Sequence, residues 1–187
     1  VNALEVSPVI DWSGLAPLLV VMGAAVLGVL VEALPWASLR RTLNAVLMLV
    51  ALVVSLFLVV LRFLDYKDMS LLGVGSFLET RTTLLFQAVL LVVALLSALV
   101  VLDRSNSADG SFIPQAADGP GSAQEDYALK VKYQRTEVYI LMLFSVAGMM
   151  AFISAANLLV LFVALEVMSL PLYVMSATGR RRRLLSQ

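Results

Sequence analysis

The sequence predicts an all-α membrane protein with about five transmembrane helices. Its 187 residues are 61% hydrophobic and only 14% charged, with a mean hydropathy of +0.96, whereas a soluble domain is nearer half apolar and a quarter charged. Apolar runs long enough to cross a bilayer, about 20 residues each, recur along the chain. The stretches between them hold most of the Gly, Pro and charged residues.

The composition also excludes function classes. Net charge is zero, which removes the electrostatic basis for nucleic-acid binding. Cysteine and histidine are both absent, so disulfides, thiol chemistry and Cys/His metal sites are excluded. Neither GxGxxG nor GxxxxGK[ST] occurs, leaving no nucleotide-binding signature. No cofactor and no metal is expected on this chain.

Residues 1–14 carry Glu5 and Asp11 and lack the basic and apolar regions of a secretory signal. Residues 15–102 hold the three leading helices. The first is predicted over Leu15–Leu34, with Pro17 in its first turn and Gly23, Ala24, Ala25 and Gly28 as a small-residue face for a neighbouring helix. Glu32, near Arg40 and Arg41, reads as an interfacial charge or as a secondary functional acid. Trp36 suits an interfacial belt. The second helix, Leu43–Phe63, has Asn44 and Ser55 as its polar interior residues and reads as a packing helix. Leu64–Thr82, with Gly73 and Gly75, reads as a loop lying on the surface or against partners. The third helix spans Thr83–Leu102.

Residues 103–136 break the pattern. Ser, Gly, Asp, Ala and Pro dominate, with Gly119-Pro120-Gly121 near the centre. Such a composition buries too little apolar surface to order itself, so a flexible loop is expected. Residues 137–187 supply two more helices and a basic end. Glu137 opens the fourth helix, Val138–Ser154, either as a first-turn acid favoured by the helix dipole or as part of a functional charge line. The link to the fifth helix, Leu158–Thr178, is so short that the two must be antiparallel neighbours.

Lysine and arginine set the orientation. With alternating loops, Arg40, Arg41, Arg104, Lys130, Lys132, Arg135 and Arg180–Arg183 share one side, against Arg62, Lys67 and Arg81 on the other. The first side is expected to be cytoplasmic, which places the N-terminus outside.

The fifth helix carries the candidate chemistry. Glu166 lies near its middle, where a carboxylate costs roughly 2.5–3.5 kcal/mol on insertion scales. Ser169, Tyr173 and Ser176 follow at spacings of 3, 4 and 3, which sets all four on one stripe. A polar stripe at membrane depth is expected to face a bundle interior or a water path. Pro171 cannot donate to the Val167 carbonyl, so a kink and a free carbonyl beside Glu166 are expected. Burial raises a carboxyl's pKa and a nearby cation lowers it; a cation that approaches and withdraws would turn Glu166 into a switchable proton site. No lysine or arginine is expected within a spanning segment, so that cation would lie beyond these residues. The opening Val and the end just past the arginines fit part of a longer chain.

The stretch Glu137-Val-Tyr-Ile followed by LMLFSVAGMMAFISAANLLVLFVALEVMSLPLYVMSA resembles the antiporter-like membrane subunits of respiratory complex I, and most closely the subunit N type of bacterial NADH-quinone oxidoreductase. The carrying motifs are Gly148–Met150, Ser154–Leu159 and Leu165–Tyr173. The resemblance implies an antiporter-like fold of about 14 helices with inverted five-helix repeats, of which this chain would cover the three leading helices and the first two of one repeat. It implies a translocase subunit that moves protons without redox chemistry of its own, with quinone chemistry elsewhere. It matches Glu166 to a glutamate that pairs with a lysine on a later helix. The implied partners are other membrane-arm and peripheral subunits, with lipid around them, in a bacterial plasma membrane. Two alternatives stand beside it: the large subunit of a multi-subunit cation/proton antiporter, and a non-translocating membrane scaffold.

Overall fold

The structure is a computed structural model and describes residues 11–66, 68–106 and 137–177. Much of the expected N-terminal segment, most of the expected flexible loop and the arginines 180–183 lie outside the described residues.

Among the described residues, five helices appear in order: α1 (Trp12–Glu32), α2 (Ala37–Leu64), α3 (Arg81–Asn106), α4 (Glu137–Ser154) and α5 (Leu158–Ala177). All five are long and apolar enough to cross a membrane. Helix α3 runs four residues past the expected end at Leu102, and α2 starts six before Leu43. Arg40 and Arg41 therefore lie at the start of α2 and Arg81 at the start of α3 rather than in loops, and Arg62, already inside the expected second helix, lies in the last turn of α2, which corrects the expectation that spanning helices carry no arginine.

Helix α1 begins at Asp11, whose carboxylate accepts from the amides of Ser13 and Gly14, supplying acceptors that the first turn lacks. Pro17 is the sixth residue of the helix, not in its first turn as expected. Of the expected small-residue face, Ala24, Ala25 and Gly28 are buried. A Cβ on Gly28 would stand 2.9 Å from the Ile140 side chain, while one on Gly23 would meet open space. Gly23 is thus not part of the contact.

Helix α4 is the centre of the bundle. It packs against α1, α2, α3 and α5, and 61% of its membrane-length window is buried. The core around it includes Val21 and Ala25 from α1, Met48 and Leu52 from α2, Leu91 from α3, and Leu143 and Met150 from α4 itself. Helix α5 packs principally on α4, antiparallel to it.

The segment between α2 and α3 is more ordered than the expected loop. Strands β1 (Ser70–Leu72) and β2 (Phe77–Glu79) pair antiparallel as a hairpin. Its turn places Gly73, Val74 and Gly75 at φ values of 55°, 59° and 80°. Two glycines adopt this left-handed region freely, and the β-branched Val74 between them is strained there. The hairpin grips the α4–α5 link: Phe77 bridges Ala155, and the Ala156 amide donates to the Ser76 carbonyl at 3.0 Å.

Candidate functional site

Helix α5 starts cleanly because Asn157 caps it. The Val160 amide donates to Asn157 Oδ1 at 2.9 Å, satisfying one of the donors a helix start leaves open. From there α5 is anchored along one side. Val160, Ala164, Val167, Met168, Pro171 and Met175 are the buried or half-buried residues of that side, and their recurrence every three to four positions marks a single helical face. The remaining side is mostly exposed, and only 6% of the membrane-length window is buried.

The anchor is tightest at Gly148. A Cβ built there would come within 2.5 Å of the Met168 amide nitrogen and 2.9 Å of the Val167 carbonyl carbon. Only glycine permits that approach. One turn earlier on α4, the Ser145 hydroxyl donates to the Met168 carbonyl at 3.2 Å. This contact lies within one turn of Pro171, where the proline ring removes a backbone donor. Helix α5 nevertheless continues through Pro171 to Ala177.

The predicted stripe lies on the side of α5 opposite that anchor. Glu166 and Ser169 are half-buried, and Tyr173 and Ser176 are exposed, Tyr173 to 68%. The hydroxyls turn inward to their own helix: Ser176 donates to the Leu172 carbonyl at 2.7 Å, and Ser169 reaches the Glu166 carbonyl at 3.5 Å, a length at the limit of a hydrogen bond. Among the described residues, no hydrogen bond or ion pair engages the Glu166 carboxylate. The stripe thus faces away from the four other described helices, and the expected bundle interior is not formed by them.

Glu32 and Glu137 are not brought to Glu166. Glu32 ends α1, where Arg40 Nε approaches its carboxylate at 3.4 Å and Asn44 Nδ2 donates to it at 2.9 Å. Glu137 is exposed in the first turn of α4. The Gly28–Ile140 contact sets it at the Glu32 end of the bundle.

A second polar group, at the opposite end, escaped the sequence reading. Arg62 from α2 binds Glu79 of β2 in a two-pronged contact, at 2.8 and 3.3 Å, and also reaches Asp11 at 3.1 Å and Ser13 Oγ at 3.2 Å. Glu79 is 6% exposed. The Asp11 carboxyl is held below its ordinary range, chiefly by the hydrogen bond from the Ser13 hydroxyl, with the Gly14 amide and Arg62 adding to it against the opposing effect of burial. Arg62 and Glu79 are 17 residues apart in sequence with a turn between them, so no helical or strand period links them. Their only local signal is a basic residue at the end of an apolar run and an acid just before the next. Among the described residues, no group of three or more acidic, His or Cys side chains is placed to hold a metal ion.

No family model matches the chain. Individual proteins do. The chain is 42% identical over 191 residues to an NADH-quinone oxidoreductase subunit N from Beutenbergia cavernae, which covers 97% of this chain and 36% of that protein. It is 41% identical to the subunit N of Acidothermus cellulolyticus, over 100% of this chain and 35% of that protein. The figure for Thermobifida fusca is also 41%, over 97% and 33%. The chain therefore spans about a third of the length of the curated relatives it matches. With likeness near 40% along almost its entire length and five membrane-length helices, the chain belongs to the NADH-quinone oxidoreductase subunit N family.

Proposed function

We propose that this chain is a segment of a proton-translocating membrane-arm subunit of NADH-quinone oxidoreductase, and that Glu166 is its charge-switching proton site. The observation that carries the reading is the placement of Glu166. It stands near the middle of α5, on the side turned away from α1–α4, with no partner among the described residues. A carboxylate at membrane depth is costly unless a cation or a water path meets it. A cation supplied from beyond these residues would exchange protons with Glu166 by approaching and withdrawing.

The rest of α5 suits such a site. The Gly148 contact and the Ser145–Met168 hydrogen bond fix the backbone on the opposite side, so Glu166 is presented from a rigid element. Ser169, Tyr173 and Ser176 continue a polar line along which a proton can pass. The electron-transfer groups belong to other subunits of the assembly. The arginine and lysine distribution supports an N-terminus on the outer face of the bacterial plasma membrane.

The test is Glu166→Gln in the assembled complex. The substitution keeps the shape and removes the titrating charge. NADH oxidation is expected to persist while protons moved per NADH fall. An unchanged ratio would remove Glu166 from the mechanism.

A further inference from the structure

Under the hairpin, at the Asp11 end of the bundle, lies a small cavity. It offers about 20 Å³ to the centre of a water molecule. Glu79, Thr83, Gln87 and Ser154 are among its lining residues, each more than nine-tenths buried. Leu72 and Leu84 form part of its apolar wall and are equally buried.

These polar groups have capacity left over. Both Glu79 oxygens accept from Arg62, and each keeps a second lone pair. Ser154 Oγ donates to the Met150 carbonyl at 2.9 Å and keeps its own acceptor sites. Thr83 Oγ1 shares one hydrogen bond with Thr80 Oγ1 at 2.8 Å. Gln87 donates its amide to the same Met150 carbonyl at 3.3 Å, but among the described residues no donor reaches its Oε1. An acceptor that no protein donor meets and that is not fully covered is open to a water. A water needs about 10–15 Å³ by this measure and two to four polar partners. The cavity meets both conditions.

We propose that this cavity is a hydration site, holding an ordered water that donates to Gln87 Oε1 and bonds with its neighbours Thr83, Ser154 and Glu79. The water completes a polar file from the Asp11–Arg62–Glu79 cluster through Gln87 to the Met150 carbonyl of α4. It ties the hairpin to the central helix. The site is independent of any role for Glu166.

The experiment uses the full-length protein in its native membrane assembly. Radiolysis of bound water oxidises the side chains beside it, and mass spectrometry locates the products. Leu72 and Leu84 are expected to be oxidised well above Leu91 and Leu143, which are just as buried but lie in the dry core. A density map that resolves ordered waters is expected to show one within hydrogen-bond reach of Gln87. The shape-conserving pair Thr83→Val and Gln87→Met is expected to bring Leu72 and Leu84 down to the Leu91 level. Two outcomes overturn the proposal: wild-type protein with no such density and core-level oxidation at Leu72 and Leu84, or oxidation unchanged in the double variant. The wild-type measurement stands by itself if the variant does not assemble.

Discussion

Gly148 of α4 meets the backbone of Met168 in α5 so closely that a Cβ added to Gly148 would lie 2.5 Å from the Met168 amide nitrogen. The neighbour in the way is main chain, which cannot swing aside like the tip of a flexible side chain. Gly148→Ala is therefore expected to push α5 off α4, at a cost of about 1–3 kcal/mol or more. Thermal melting of the detergent-solubilised assembly is expected to shift downward. Gly23→Ala, where nothing lies within 4 Å, is the matched control and is expected to leave melting unchanged.

Arg62→Met removes the cation that holds Glu79. Glu79 would remain buried with its hydrogen bonds lost, which costs about 1–3 kcal/mol. The hairpin is expected to loosen first, seen as faster hydrogen exchange at the Ala156 amide that bonds to Ser76. Adding Glu79→Gln removes the stranded charge, so the double variant is expected to be more stable than Arg62→Met alone.

The Asp11 cap is expected to be sensitive to acid. Its folded pKa lies below the ordinary carboxylate value of 3.8. Its contribution is therefore present above that ordinary value and is lost as pH falls through the lower, folded value. Exchange protection of the Ser13 and Gly14 amides, corrected for intrinsic rates, is expected to drop across that acid window. In Asp11→Ala the protection is expected to be low and flat with pH.

Asn157→Ala deletes the acceptor for the Val160 amide and is expected to destabilise the start of α5 by about 1 kcal/mol. Asn157→Asp keeps the acceptor and is expected to restore the stability. Melting of the two variants side by side separates capping from packing, since Asn157 is exposed.

The motifs that carried the family resemblance acquire physical reasons in the fold. Gly148 is the point of closest helix approach. The carbonyl of Met150 accepts from both Gln87 and Ser154. Asn157 starts α5. Other features were beyond reach from sequence. The hairpin strands are three residues each, too short for a period of two to stand out. The Arg62–Glu79 pair joins two elements across a turn, and long-range pairing leaves no local pattern.

The sequence by itself determined that the chain spans a membrane, how many helices do so, that α4 and α5 are antiparallel neighbours, and that Glu166, Ser169, Tyr173 and Ser176 share one stripe. Those conclusions follow from hydropathy, link length and the 3.6-residue period, all of which are local. Only the tertiary structure decided that α4 is the central helix, that Gly148 is the contact glycine and Gly23 is not, and that the stripe turns away from the other four described helices. A helix period says which residues share a face. Which face is covered depends on the neighbours that pack there, and for α5 that face is the one held against Gly148.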